Sequence, residues 1–349
     1  MKKIKNDISG IIEKIKKAGV VSIIGMDKNS GKTTTLNCII KLLWDDSQIG
    51  LTSIGRDGES CDEVLGIKKP RIYVHCGTYF ATSKESLLRS DVTKMIEDST
   101  NISTPLGNIV IAKALSDGYI EIAGPSRNDQ VKEICTKLQK LNCSPVIVDG
   151  ALSRKTFASP SVTRGTILAT GASLSKDMNE TVDRTVNAVK LLSIKEEKNK
   201  KIIDIYNEYT PESRIVLVYN DYSIKAVDVK TTIGAEKEIV PYINSNLRYI
   251  MIKGIVTDTF IKMIIENMHD VKKISILVED GTKLFINEST LSKFKFFHGE
   301  FKAVHSLNII GISINPYSTQ GYEYDKNLFL DLLKVRVDYP VFNVMDVMR

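Results

Sequence analysis

Residues 25–34, Gly-Met-Asp-Lys-Asn-Ser-Gly-Lys-Thr-Thr, follow the apolar run Val20-Val21-Ser22-Ile23-Ile24 and precede a segment where Leu36, Ile40, Leu43 and Trp44 recur at helical spacing. A strand, a glycine-containing turn and a helix in that order are what a phosphate-binding loop requires. Backbone amides of the turn and of the helix start point at one spot, where an anion meets donors and the positive end of the helix dipole. In this reading Gly25, Asp27, Asn29, Ser30, Gly31, Lys32, Thr33 and Thr34 contact the phosphates of ATP. Lys32 reaches the β- and γ-phosphates, and the Thr33 hydroxyl holds Mg²⁺. The formal spacing G-x-x-x-x-G-K-[ST] puts its first glycine on Met26, whereas the glycine stands one place earlier, at Gly25.

An acidic residue closing an apolar strand completes such a site by orienting the metal's water. Asp149, at the end of Val146-Ile147-Val148, has that placing, with a turn or capping carboxylate as the alternative. After the strand-like stretch ending at Gly55, Asp57, Glu59 and Asp62 fall where acidic residues approach the γ-phosphate. Asp57 is the candidate catalytic and metal-side sensor among them, and an acidic surface turn around Gly58 is equally open. Arg127 lies at a helix start where Ser126 or Asn128 could cap and the guanidinium could clamp an anion. Arg154 and Lys155 follow closely on Asp149; either arginine could act as a cis arginine finger or be a surface group. Thr170-Gly171-Ala172-Ser173-Leu174-Ser175 is a strand-to-helix turn of small residues, open between lining a pocket and capping. The stretch Ile314–Asp325, with Asn315-Pro316 and Gly321, is open between a functional loop and a structural turn.

Other chemistries lack their patterns. His75, His269, His298 and His305 are isolated from one another and read as packed or surface residues. No G-x-S-x-G elbow and no Cys-His signature is present. Cys38, Cys61, Cys76, Cys135 and Cys143 form no C-x-x-C pair and read as reduced thiols of a cytoplasmic protein. The chain of 349 residues, 42% hydrophobic and 26% charged, has the composition of an ordinary globular protein. Its net charge of +6 comes from lysines spread along the chain, which does not point to nucleic acid. Ile4, Ile8, Ile11, Ile12 and Ile15 fall at helical spacing among charges, so the N-terminus predicts an amphipathic helix stopped at Gly19, not a signal peptide. No apolar run is long enough for a membrane span.

The elements that must position these residues alternate in type. Apolar strands at 20–24, 49–55, 108–114, 119–124 and 145–151 are interleaved with helices, one of which puts Val131, Ile134, Cys135, Leu138 and Leu141 on one face. That alternation predicts an α/β fold, a P-loop nucleotide-binding domain with a mostly parallel sheet over residues 1–200. The charged run at 194–202 is open between a helix end and a linker. Strands at 214–220, 249–256, 273–280 and 307–316, with a helix from Thr257 to His269, predict a second, smaller α/β domain over 201–349.

The early glycine of Gly25-Met-Asp27-Lys-Asn-Ser-Gly31-Lys32-Thr33 resembles the loop of dethiobiotin synthetases, within the branch of P-loop proteins that includes the MinD and nitrogenase iron-protein families. Asp27 stands where that branch's signature lysine would be. The stretch around Asp149 is similar to the strand end that carries the acidic Mg²⁺ partner in dethiobiotin synthetases. The resemblance departs at Arg56 and Asp57, where those enzymes carry a catalytic lysine, and at Leu152, where they carry a glycine. Over longer blocks, residues 25–37, 51–59, 146–160, 167–175 and 315–322, the chain resembles the P-loop subunits of lysine 5,6-aminomutase reactivases. That resemblance implies a chaperone-like ATPase that uses ATP to free damaged cobalamin from an adenosylcobalamin mutase. It further implies a MutS-like ATPase subunit and lysine 5,6-aminomutase as partners, and by analogy a homodimer across the nucleotide. A dethiobiotin synthetase-like ligase or kinase acting on a small molecule, and a nucleotide-dependent scaffold, remain open beside it.

Overall fold

The computed structural model describes residues 2–55, 71–150, 162–268 and 273–348. The first element, α1 (Lys2–Ala18), ends at Gly19, whose φ of 71° suits a residue without a side chain. It leads to β1 (Val20–Gly25), α2 (Lys32–Leu43) and β2 (Gly50–Ser53). Next come β3 (Ile72–Val74), β4 (Tyr79–Ser83), α3 (Lys84–Leu88), β5 (Lys94–Thr104), β6 (Gly107–Ala114) and β7 (Gly118–Ile120). Then follow α4 (Asn128–Lys140), β8 (Val146–Asp149), β9 (Gly165–Gly171) and α5 (Met178–Leu192).

These strands build a nine-stranded sheet of order β18-β17-β9-β1-β8-β2-β4-β6-β5, in which β17 (Ile309–Asn315) and β18 (Val341–Asn343) come from the end of the chain. Every neighbouring pair from β18 to β4 is parallel, while β6 runs antiparallel to β4 and β5 antiparallel to β6. Alternation along β1 and β8 sends residues to two cores. Val21, Ile23 and Ile147 pack with Ile11 and Ile15 of α1 and Leu36, Ile39 and Leu43 of α2. Val20, Val146 and Val148 pack with Val131, Ile134 and Leu138 of α4. A mostly parallel sheet covered on both faces is thus present in the first unit. Residues 108–114 and 119–124 depart from the expected parallel pairing. A two-residue connection between β5 and β6 permits only a hairpin, and Gly118–Ile120 pairs antiparallel with β3 in a separate ribbon.

The second unit, Asn187–Leu307, has its own sheet. Its elements are α6 (Lys200–Tyr209), β10 (Ile215–Tyr219), β11 (Ile224–Val227), α7 (Glu236–Ile239), β12 (Leu247–Ile252), β13 (Val256–Thr257), α8 (Asp258–Asn267), β14 (Ile274–Val278), β15 (Leu284–Phe285), α9 (Glu288–Phe296) and β16 (Gly299–Ala303). The five strands run in the order β11-β10-β12-β14-β16, with β12, β14 and β16 parallel. Ile202, Ile205 and Tyr206 of α6 cover one face, and Phe260, Ile261 and Ile264 of α8 with Leu291 and Phe294 of α9 cover the other.

The chain then returns to the first unit through β17, α10 (Lys326–Arg336), β18 and α11 (Met345–Met348). This corrects the expected division at residue 200. Residues 308–349 belong with Met1–Val186, because β17 pairs in parallel with β9 from Ile309 to Asn315. The boundary between the units falls inside α5, after Val186. The charged run at 194–202 is instead the approach to α6, whose first turn is capped by Asn199 accepting from the Lys201 amide at 3.1 Å. No helix among the described residues is long and apolar enough to cross a membrane.

Candidate phosphate-loop site

The buried, β-branched sequence of β1 fixes a central strand, and its last residue, Gly25, sits beside Ala169 of β9. The ladder continues one step, with the Met26 amide donating to Ala169 O at 2.9 Å. The chain then turns through Asp27–Ser30, where the Ser30 amide donates to Asp27 O at 3.3 Å and Asn29 takes a φ of 62°. Gly31, at φ 93° and ψ 17°, is the N-cap of α2 and offers no side-chain cap to the helix. This left-handed conformation favours glycine, which has no side chain of its own to accept from the first-turn amides of α2.

Lys32 opens the helix yet is only 6% exposed. Its stem bends back across Gly25: a Cβ at residue 25 would stand 2.9 Å from Lys32 Cγ and 3.0 Å from Cδ, and would collide with Ser30 Oγ. Ser30 is 1% exposed, and its hydroxyl is buried without a hydrogen-bond partner. Thr33 and Thr34 are half-buried beside it. Thr35 fastens the first turn, donating to Gly31 O at 2.9 Å and sharing a 2.7 Å hydrogen bond with Ser313 of β17. The loop therefore has parts an anion site needs: a helix start whose N-cap brings no side-chain acceptor, a lysine folded over a glycine, and an unpartnered hydroxyl.

Asp149 ends β8, the strand next to β1, in register with Ile23 on one side and Ser53 on the other. It is half-buried, its Oδ1 shielded from solvent, two residues short of the level of Gly25. Thr33 and Asp149 are hard oxygen donors of the kind Mg²⁺ prefers when phosphates and water complete its shell. No cluster of three or more His, Cys, Asp or Glu side chains suited to a metal occurs among the described residues. Asp57, Glu59, Asp62, Arg56, Leu152, Arg154, Lys155, Cys61 and His269 lie outside the described residues.

The sequence pointed only loosely to the second wall of the site. The returning strand β17 brings Asn315 so close to Gly31 that a Cβ on Gly31 would stand 2.8 Å from Asn315 Cβ. Asn29 Nδ2 lies 3.5 Å from Thr319 Oγ1 in the loop after β17. In the same loop Tyr322 donates to Ala172 O at 2.6 Å, and Tyr324 donates to Ser175 O and shares a 2.9 Å hydrogen bond with Thr181. The turn at 170–175 and the stretch 314–325, each open between function and structure in the sequence, are thus pinned to each other next to the loop. Asn315-Pro316 after an apolar strand, with Gly321 beyond it, was the signal.

Neither Ser126 nor Asn128 caps α4, and Arg127 has the placing of the surface group that was its alternative. It is itself the N-cap of α4, with no side-chain cap, and its guanidinium is held by Asp129 at 2.6 and 3.0 Å. His75 is a packed residue, its ring 3.8 Å from that of Trp44 and its Nδ1 3.0 Å from Asp117. These two rings border a cleft of about 410 Å³ beyond the far end of α2, away from the phosphate loop. Cys38, Cys135 and Cys143 are free, and burial pushes each thiol up to about 12, which removes them as nucleophiles at neutral pH. Compared with protein-family models, curated proteins and solved structures, the chain matches none, so its functional reading rests on its own residues and geometry.

Proposed function

We propose that the chain is a P-loop NTPase that binds ATP with Mg²⁺ in the loop Gly25–Thr34 and hydrolyses it. The observation that carries this reading is Lys32, buried at the start of α2 with its stem over Gly25. An aliphatic residue would suit a buried helix start better than a lysine unless its ammonium group meets an anion there. The loop amides and Ser30 Oγ would hold the phosphates, and Thr33 and Asp149 would hold Mg²⁺, Thr33 directly and Asp149 through water. Magnesium, when bound, neutralises charge on the β- and γ-phosphate oxygens.

The finer reading follows the block resemblance in the sequence. It makes the chain the ATPase subunit of a reactivating factor for adenosylcobalamin-dependent lysine 5,6-aminomutase, acting with a MutS-like ATPase subunit. ATP binding or hydrolysis favours a conformation that opens the mutase and lets damaged cobalamin leave. A homodimer across the nucleotide belongs to the same reading. The test is ATP hydrolysis by the purified chain with Mg²⁺, alone and then with inactivated, cobalamin-loaded mutase and the MutS-like subunit. Stimulated turnover with return of mutase activity is expected. Turnover that responds only to a small carboxylate or amine would replace the reactivase with a ligase or kinase, and ATP affinity unchanged in Lys32→Ala would remove the phosphate-loop reading itself.

A further inference from the structure

Asp27 is an anomaly in a loop built to gather an anion. A carboxylate beside a triphosphate raises the electrostatic cost of binding unless a cation offsets it. The offset is Arg184 of α5, whose Nη2 lies 3.9 Å from Asp27 Oδ2. The same guanidinium donates from Nη1 to Leu174 O at 2.8 Å and lies 3.9 Å from Glu180, one helical turn back.

At 3.9 Å the two carboxylates attract the guanidinium without taking its N–H groups as hydrogen-bond donors. Arginine has five such donors, and Leu174 O accepts only one contact here. The side chain is 42% exposed, so it faces solvent at the rim of the loop. Arg127, the described arginine that the sequence offered for such a role, is paired with Asp129. Phosphoryl transfer needs positive charge beyond a loop lysine and one metal, because charge spreads over the γ-oxygens as the bond to the leaving group weakens.

Resting on the nucleotide reading above, we infer that Arg184 is the site's second cation, a cis arginine contacting the transferring γ-phosphoryl group, and that Asp27 is its positioning residue. In the step it assists, water oxygen bonds to the γ-phosphorus, the bond to the β–γ bridging oxygen breaks, ADP leaves with that electron pair, and the water proton passes to solvent. Arg184 turns from Asp27 to the γ-oxygens and covers the charge that develops there.

The test compares full-length wild type, Lys32→Ala, Arg184→Gln, Asp27→Asn and the Asp27→Asn/Arg184→Gln double variant. Glutamine keeps an amide for Leu174 O while removing the charge. Single-turnover ATP hydrolysis gives the rate, and calorimetry with a non-hydrolysable ATP analogue gives the affinity. Arg184→Gln should slow hydrolysis by about 100-fold or more and change affinity by less than about fivefold. Asp27→Asn should slow it less, and the double variant should be no slower than Arg184→Gln alone, since both act through one group. Wild-type rates in Arg184→Gln, with binding lost in Lys32→Ala, overturn the role of Arg184 and leave the nucleotide reading standing. Undiminished binding in Lys32→Ala overturns the nucleotide reading and this inference with it.

Discussion

The two sheets end their parallel strands on rows of turns, and the glycines in those turns do opposite work. At the end of β1 and just after it, Gly25 and Gly31 clear room: one lets the Lys32 stem cross the chain and the other lets Asn315 approach. Beyond β14, Gly281 leaves no room at all, since a Cβ there would stand 2.7 Å from Leu192 Cα and collide with Leu191 O. Lys283 closes that edge by pairing with Glu279 at 3.0 Å. Both edges lie where parallel sheets commonly bind ligands. What separates them is the turn: at one the close neighbours are side chains, those of Ser30, Lys32 and Asn315, and at the other they are backbone atoms. Architecture offers the place, and the few residues after the strand decide whether it becomes a site.

A single methyl group should break this comparison most sharply. In Gly25→Ala the new Cβ displaces the Lys32 stem and Ser30, so ATP affinity should fall about 10- to 100-fold, measured by calorimetry, the loss expected when a charge-assisted contact to phosphate is broken. The same change in Gly281→Ala meets backbone that cannot step aside and should lower unfolding stability by about 1–3 kcal/mol in a denaturant titration, with ATP affinity kept. If Gly281→Ala loses nucleotide affinity as strongly as Gly25→Ala, the two edges are not functionally distinct. Next in size, Asp149→Asn should reduce hydrolysis about 10- to 100-fold, in the range for groups that orient a metal's ligands, while sparing affinity for a non-hydrolysable analogue. Equal loss of both would make Asp149 a structural carboxylate.

The difference between the edges was partly legible in the sequence. The strand, the early glycine and Gly31-Lys32-Thr33 are local, so their order alone indicates a loop and a helix start, and Asp149 was marked by closing an apolar run. The second wall was legible only as a distinctive stretch after Ile314, because its placing depends on pairing across the chain: Thr35 and Ser313 share a hydrogen bond over 278 residues. Ile309–Asn315 has the same apolar period as the strands before it, so nothing local says which sheet it joins. β5 went unread for a different reason. It is an edge strand whose sequence, Lys-Met-Ile-Glu-Asp-Ser-Thr-Asn-Ile-Ser-Thr, carries little apolar alternation. Arg184 gives no sequence signal either, since its meaning comes only from Asp27 lying across from it.

The smallest expected effect sharpens the closed edge. Asp280 is fully buried after β14, where Oδ1 accepts from the Thr282 amide at 2.9 Å and from the Thr282 hydroxyl while Oδ2 has no hydrogen-bond partner. Burial pushes its carboxyl above the ordinary 3.8, against the pull of the Thr282 hydrogen bonds and of Lys283. The sign follows from linkage. Above pH 3.8 the unfolded chain releases this proton while the fold retains it, so stability declines as pH rises until the folded-state value is passed. An asparagine in its place would still accept from the Thr282 amide but cannot ionise, so Asp280→Asn should lose that decline. Urea titrations of both proteins at several pH values above 3.8 would give stability differences that drift in favour of the variant as pH rises. Parallel pH curves would mean that Asp280 is ionised in the fold. The second edge would then hold a buried charge, and the contrast between the edge proposed to bind nucleotide and the edge that is merely filled would need a cation to explain it.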